Sequence, residues 1–169
     1  MPDKATIEKA KRDKRQGKSP STQAGEFVRA EIDKIRHGEH GARSARQAVA
    51  IGLSEARRAG VDLPPPRRGT AKARTRKSAR YAYAAGQGKR KPKSPSKKRS
   101  RAALKALKRE PGRAASHRAL SRQARSAASR RSAAARSRAA DKAARTKGRS
   151  GRAAAARKAA RSRTRRRRA

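Results

Sequence analysis

His37 and His40 stand three residues apart around Gly38 and Glu39. That spacing could bring two imidazoles to one metal ion, or set a general base beside a general acid. No third ligand is in view, and a glycine-bounded turn accounts for the pair without any chemistry. The chain has no cysteine, which excludes thiolate metal sites, disulfides and cysteine nucleophiles. His117 lies among cations, with Glu110 as its nearest carboxylate, and reads as a solvated side chain. No glycine loop of the phosphate-cradling kind and no nucleophile with a neighbouring base is present. An enzyme is therefore not expected, nor a cofactor, a metal or a small-molecule substrate.

The groups with chemistry left to offer are guanidinium and ammonium ions. Arg43, Arg46, Arg57 and Arg58 bracket one segment. A guanidinium fork can hold a phosphate bidentately, although four such residues also serve as plain solubilising charge. Lys93, Lys97, Lys98 and Arg99 surround Ser94-Pro95-Ser96, Arg130 adjoins Arg131, and Arg165, Arg166, Arg167 and Arg168 form a final cationic run. Tyr81 and Tyr83 could stack on unpaired bases, but two aromatics seldom make a platform. Glu26, Glu31 and Asp33 read as partners of Arg29, Lys34 and Arg36 along an exposed helix surface.

The elements that must carry these groups divide by charge. The 169 residues hold 53 Lys and Arg against 11 Asp and Glu, a formal net charge of +42. Residues 1–62 contribute 14 cations and 9 anions, residues 63–169 contribute 39 and 2. The change falls at Leu63-Pro64-Pro65-Pro66, where three prolines lack amide donors and favour extended backbone. Four segments follow: a basic arm over 1–18, a helical module over 19–62, a Pro/Lys/Arg-rich linker over 63–100 and an Ala/Arg/Lys-rich tail over 101–169.

Within the module, Ser19-Pro20-Ser21-Thr22 offers N-caps and a first-turn proline, after which Ala24, Phe27, Val28, Ile32 and Ile35 recur at helical spacing. Gly38 supplies a stop. Ser44 and Gln47 match a capping box for a second helix, which Gly60 ends, with Val61 placed for a Schellman contact. Gly52, in its middle, costs about 1 kcal/mol relative to alanine unless it permits a close crossing. The spacing thus predicts a helical hairpin, or a helix-turn-helix-like pair, over about residues 22–37 and 45–59. A module of this size is marginal alone, which invites self-association of the hairpin into a homo-oligomer.

Beyond Tyr83 the large apolar residues are three leucines, Leu104, Leu107 and Leu120. Such a segment buries too little to offset an ordering cost of about 1–2 kcal/mol per residue, so the tail is expected to be disordered. Residues 113–147, free of glycine and proline, are expected to turn helical once phosphates remove the cation repulsion. The expected fold class is mostly α plus disordered. No run of about 18 apolar residues and no apolar leader is present, so neither a membrane partner nor secretion is indicated, and cytoplasm is the expected location.

Two resemblances add to this. The segment from Lys18 to Pro66, most specifically AGEFVR and HGARSARQAVAIGLSEARRAG, resembles an uncharacterised family of small basic bacterial proteins described only as DNA-binding or of unknown function. It implies no activity. The tail resembles the Ala/Lys/Arg tails of linker histones and bacterial histone-like proteins, and Lys93-Ser94-Pro95-Ser96-Lys97-Lys98-Arg99 resembles their Ser-Pro-x-Lys motif. That implies a turn facing a narrow A·T minor groove, with a solvated linker as the equal alternative. The arginine content departs from linker-histone tails and leaves RNA open. The expected function is nonspecific, histone-like coating of DNA in the nucleoid, with a ribosome-associated RNA chaperone and a sequence-specific regulator as alternatives.

Overall fold

The computed structural model describes residues 3–91 and 96–168, with the backbone alone at 146–147 and 165–168. Helices follow one another as α1 (Lys4–Arg15), α2 (Pro20–Arg36), α3 (Ala45–Arg58), α4 (Ala73–Gly86), α5 (Lys97–Arg109), a short 3-10 helix (Gly112–Ala115), α6 (His117–Ser129) and α7 (Ala133–Arg168). Two compact units result, Met1–Gln123 and Ala124–Ala169.

The central pair forms for the local reasons legible in its residues. Ser19 precedes α2, with Pro20 in its first turn, but its hydroxyl meets those of Ser21 and Thr22 and does not cap the backbone as expected. Ser44 Oγ accepts from Gln47 N at 3.2 Å, while Gln47 Oε1 accepts from Arg43 N at 3.1 Å. The box is thus closed one residue further out than the usual reciprocal pair. Val61 N bonds Ala56 O and Gly60 N bonds Arg57 O, both at 3.1 Å, which is the Schellman arrangement. Val61 is buried against Ala56 as that motif requires.

The rest departs from expectation. A short hairpin followed by a disordered tail is not what the chain forms: α4, α5, the 3-10 helix, α6 and α7 run through the region expected to be unstructured. Residues 3–15, expected to stay a solvated arm, make α1, which packs on α2 and buries Thr6, Ala10 and Asp13. Two physical effects account for the difference. Alanine, discounted as a core residue, lets backbones approach closely, and Ala79, Ala82, Ala114 and Ala115 are all buried. Serines also cap where no bulky pattern marks a start: Ser116 Oγ accepts from Ala119 N and Ser132 Oγ from Ala135 N, each at 3.2 Å. The second serine explains why the glycine-free, proline-free stretch 113–147 breaks at Arg130–Ser132 rather than running as one helix.

Two small cores hold the first unit. Ala10, Ala24, Phe27, Ala56 and Val61 join α1, α2 and α3, with Ile7, Leu53 and Leu63 packed alongside. Ile35, Ala42 and Ala48 meet Ala114 and Ala115 of the 3-10 helix. The hairpin packs against the chain's own α1, α4 and 3-10 helix, which cover part of the apolar surface that the sequence left for a second copy. In the second unit, Gly148 takes φ 65° and kinks α7, and Arg152 Nη1 donates to Ala144 O at 3.0 Å across the bend.

Candidate nucleic-acid interface

The cationic side chains expected to meet phosphate fall into distinct environments. Arg57 is one of the buried residues, 7% exposed. Its Nε donates to Leu63 O at 3.1 Å, and its Nη1 and Nη2 to Leu53 O and Pro64 O at 3.4 Å. Burial lowers its pKa. The fork is spent on carbonyls of its own chain, where it fixes the departure of Leu63 and Pro64 from the hairpin. Arg57 is a strut, and not a free phosphate ligand.

Arg43, Arg46 and Arg58 are exposed. Arg43 Nε lies 3.8 Å from Glu110 Oε1, a contact between the α2–α3 connection and the end of α5. Lys97, Lys98 and Arg99 occupy the exposed first turn of α5. Cations there oppose the helix dipole, Ser96 makes no side-chain cap, and no acidic residue lies in that turn. An incoming anion would relieve the conflict. Lys93, with Ser94 and Pro95 of the Ser-Pro motif, lies outside the described residues. Arg130 and Arg131 are exposed in the break between α6 and α7, and Arg165, Arg166, Arg167 and Arg168 make the last turn of α7.

The carboxylates are largely engaged nearer the N-terminus. Asp13 pairs with Lys18 at 2.7 Å, Glu8 with Lys11 at 2.9 Å, Asp3 with Lys34 at 3.0 Å and Asp33 with Arg36 at 4.0 Å. Desolvation works against the Lys34 ammonium, yet its bond to Asp3 and the nearby Glu55 and Glu31 carry its pKa above the ordinary value. Glu31 is not the exposed partner expected of it. It is 1% exposed, its Oε2 lies 3.7 Å from His40 Nε2, and its Oε1 has no hydrogen-bond partner among the described residues. Burial raises its pKa above the usual 4.5, with His40 and Lys34 opposing and Glu55 and Glu39 reinforcing the rise.

His37 is exposed at the C-cap of α2, whereas His40 is turned inward to Glu31, so the two imidazoles do not share a site. The tyrosines are occupied as well. Tyr83 donates its hydroxyl to Asp62 at 2.6 Å, which raises its pKa, and Arg90 sits 4.8 Å from the centre of the Tyr81 ring.

Arg74, Thr75 and Ser78 of α4 carry no local signal in the sequence, where the composition of residues 63–100 marks a linker. With α3 they line a groove of about 460 Å³. The available signal was the small-residue spacing Ala79, Ala82, Gly86, which suits a helix lying close on a neighbour.

No helix of the described residues is long and apolar enough to cross a membrane. Residues 3–67, the span of α1 to α3 and the three prolines, match the profile of a family of unknown function (DUF6496). No curated protein and no solved structure matches the chain.

Proposed function

We propose that this protein coats nucleic acid, duplex DNA first, by neutralising phosphate charge, and works as a histone-like component of the nucleoid. The observation that carries the reading is α7. Its 36 residues include 15 Lys and Arg, a single carboxylate in Asp141, and no apolar side chain larger than alanine. Such a helix has nothing to insert into a protein core or a lipid surface. Its cations recur at spacings that distribute them around the axis, and a phosphate polymer is the partner that matches that chemistry.

The first unit supports the same reading by subtraction. Most of its carboxylates are committed to internal pairs, so the surplus of cations from residue 63 onward meets few anions within the chain. Contacts of this kind follow the backbone and do not read bases, so sequence preference should be slight.

Fluorescence anisotropy of the full chain with a labelled duplex, across a salt series, tests this. Binding should fall as a straight line of log affinity against log salt, with a slope of about 0.9 per phosphate neutralised. Absence of binding to both duplex DNA and structured RNA in dilute salt would overturn the reading. Tighter binding to structured RNA than to duplex at matched salt would move it to the RNA-chaperone alternative.

A further inference from the structure

The groove between α3 and α4 has two unlike walls. Ala50, Ile51, Leu53, Pro66 and Ala79 give it an apolar floor, and Arg58 and Arg74 stand exposed at its rim. Ser54, Thr75 and Ser78 add hydroxyls to the lining. None of these polar residues makes a side-chain hydrogen bond or ion pair among the described residues. No carboxylate lines the groove. Its position is fixed from beneath, because the buried Arg57 ties α3 to the backbone of Leu63 and Pro64, which leads into Pro66 at the groove's edge.

The chemistry offered is an apolar lining, unspent hydroxyls, and two guanidinium forks able to grip a phosphate or to stack on a π-surface. The volume lies in the range of ligand sites, about 300–1,000 Å³, and leaves room for one base and its sugar. A duplex keeps its bases paired and stacked inside, so the apolar floor would stay empty against it. An unpaired strand would fill both parts at once.

We infer that the α3–α4 groove is a binding site for one unpaired nucleotide of a nucleic-acid strand, its base against Ile51 and Ala79 and its phosphate between Arg58 and Arg74. The inference rests on the nucleic-acid reading above and adds to it a preference for exposed bases. Charge alone predicts the opposite order, because counterion release favours duplex over single strand, with about 0.9 against 0.7 per phosphate. A preference for the unpaired strand therefore reports a contact that charge does not supply.

The test compares a DNA duplex carrying short unpaired ends with a blunt duplex of equal phosphate number at matched salt, using the full chain, Ser78→Leu to fill the groove, and Arg74→Ala to remove one fork. Circular dichroism melting checks that each variant remains helical. The unmodified chain should bind the duplex with unpaired ends at least about threefold more tightly than the blunt one, a modest gain because the apolar lining that receives the base holds no aromatic ring. Both variants should lose that margin while blunt-duplex affinity stays within about twofold for Ser78→Leu, which changes no charge. Duplex binding without any preference for unpaired ends, or a preference that survives in both variants, overturns the groove inference and leaves the charge reading standing. Failure to bind either probe sinks the charge reading itself. Displacement of the unpaired ends by micromolar AMP overturns the inference in favour of a free nucleotide, and displacement by an acidic leucine-containing peptide overturns it in favour of a protein partner.

Discussion

Gly52 of α3 lies so close to Val28 of α2 that a Cβ built on the glycine would meet Val28 Cα at 2.7 Å and Val28 N at 2.9 Å. The neighbours are backbone, which a rotamer change cannot move aside. Gly52→Ala gains about 1 kcal/mol of helix propensity but wedges the two helices apart, and overpacking of this kind costs about 1–3 kcal/mol. Chemical denaturation should show a net loss of up to about 2 kcal/mol. Gly25, in α2 with nothing near its Cβ position, is the control: Gly25→Ala should gain about 0.5–1 kcal/mol. Equal effects at the two glycines would mean that the crossing is not held by this contact.

Arg57→Ala removes three donors from the carbonyls of the half-buried Leu53 and Leu63 and the exposed Pro64. The expected loss is about 2–3 kcal/mol of unfolding free energy. Arg58→Ala, one residue on and exposed, should change stability by less than about 0.5 kcal/mol. For the folded molecule the roles reverse in duplex binding, where Arg57→Ala should be neutral and Arg58→Ala weakening. A large binding defect in folded Arg57→Ala would show that its fork reaches phosphate after all.

Glu31 carries a pH dependence of known sign. Burial raises its folded pKa above the usual 4.5, so the folded state holds this proton more tightly than the unfolded chain. Stability contributed by the group therefore falls as pH rises from 4.5 through the raised value, with a limiting slope of about 1.4 kcal/mol per pH unit. Glu31→Gln has no carboxylate to desolvate. It should be more stable than the parent at pH 7, and the gap should narrow on acidification towards pH 4.5. Melting temperatures of both proteins across that range check this, and a gap that ignores pH would refute it.

Replacing Arg165, Arg166, Arg167 and Arg168 with glutamine removes four cations from the end of α7. If all four neutralise duplex phosphates, the slope of log affinity against log salt should shrink by about 3–4 units. An unchanged slope would place the contacts elsewhere on the chain.

The α2–α3 pair was legible because its signals are local. Ser44 and Gln47, Gly60 and Val61, and the spacing of Phe27, Val28, Ile32 and Ile35 act within one or two turns, and the structure keeps each of them. The later helices were not legible by the same means. Ala79, Ala82, Ala114 and Ala115 give no amphipathic stripe of bulky side chains, and their worth comes only from how near another backbone lies. Gly41 shows this well: a Cβ there would run into the carbonyl of Glu110, a partner some seventy residues away that no local pattern names. The groove went unseen for the same reason, since Arg58 and Arg74 share a rim only once α4 lies on α3.

By itself the sequence determined the sign and placement of charge, the lack of thiol chemistry and the α2–α3 pair, because these depend on residue identity or on neighbours a few positions apart. Only the tertiary structure decided which cations stay free. Arg57 and Arg58 are the same residue type side by side, yet one points into carbonyls left open where the chain departs from the hairpin and the other into solvent. A helix rotates about 100° per residue, and what waits on each side is settled by packing between distant segments.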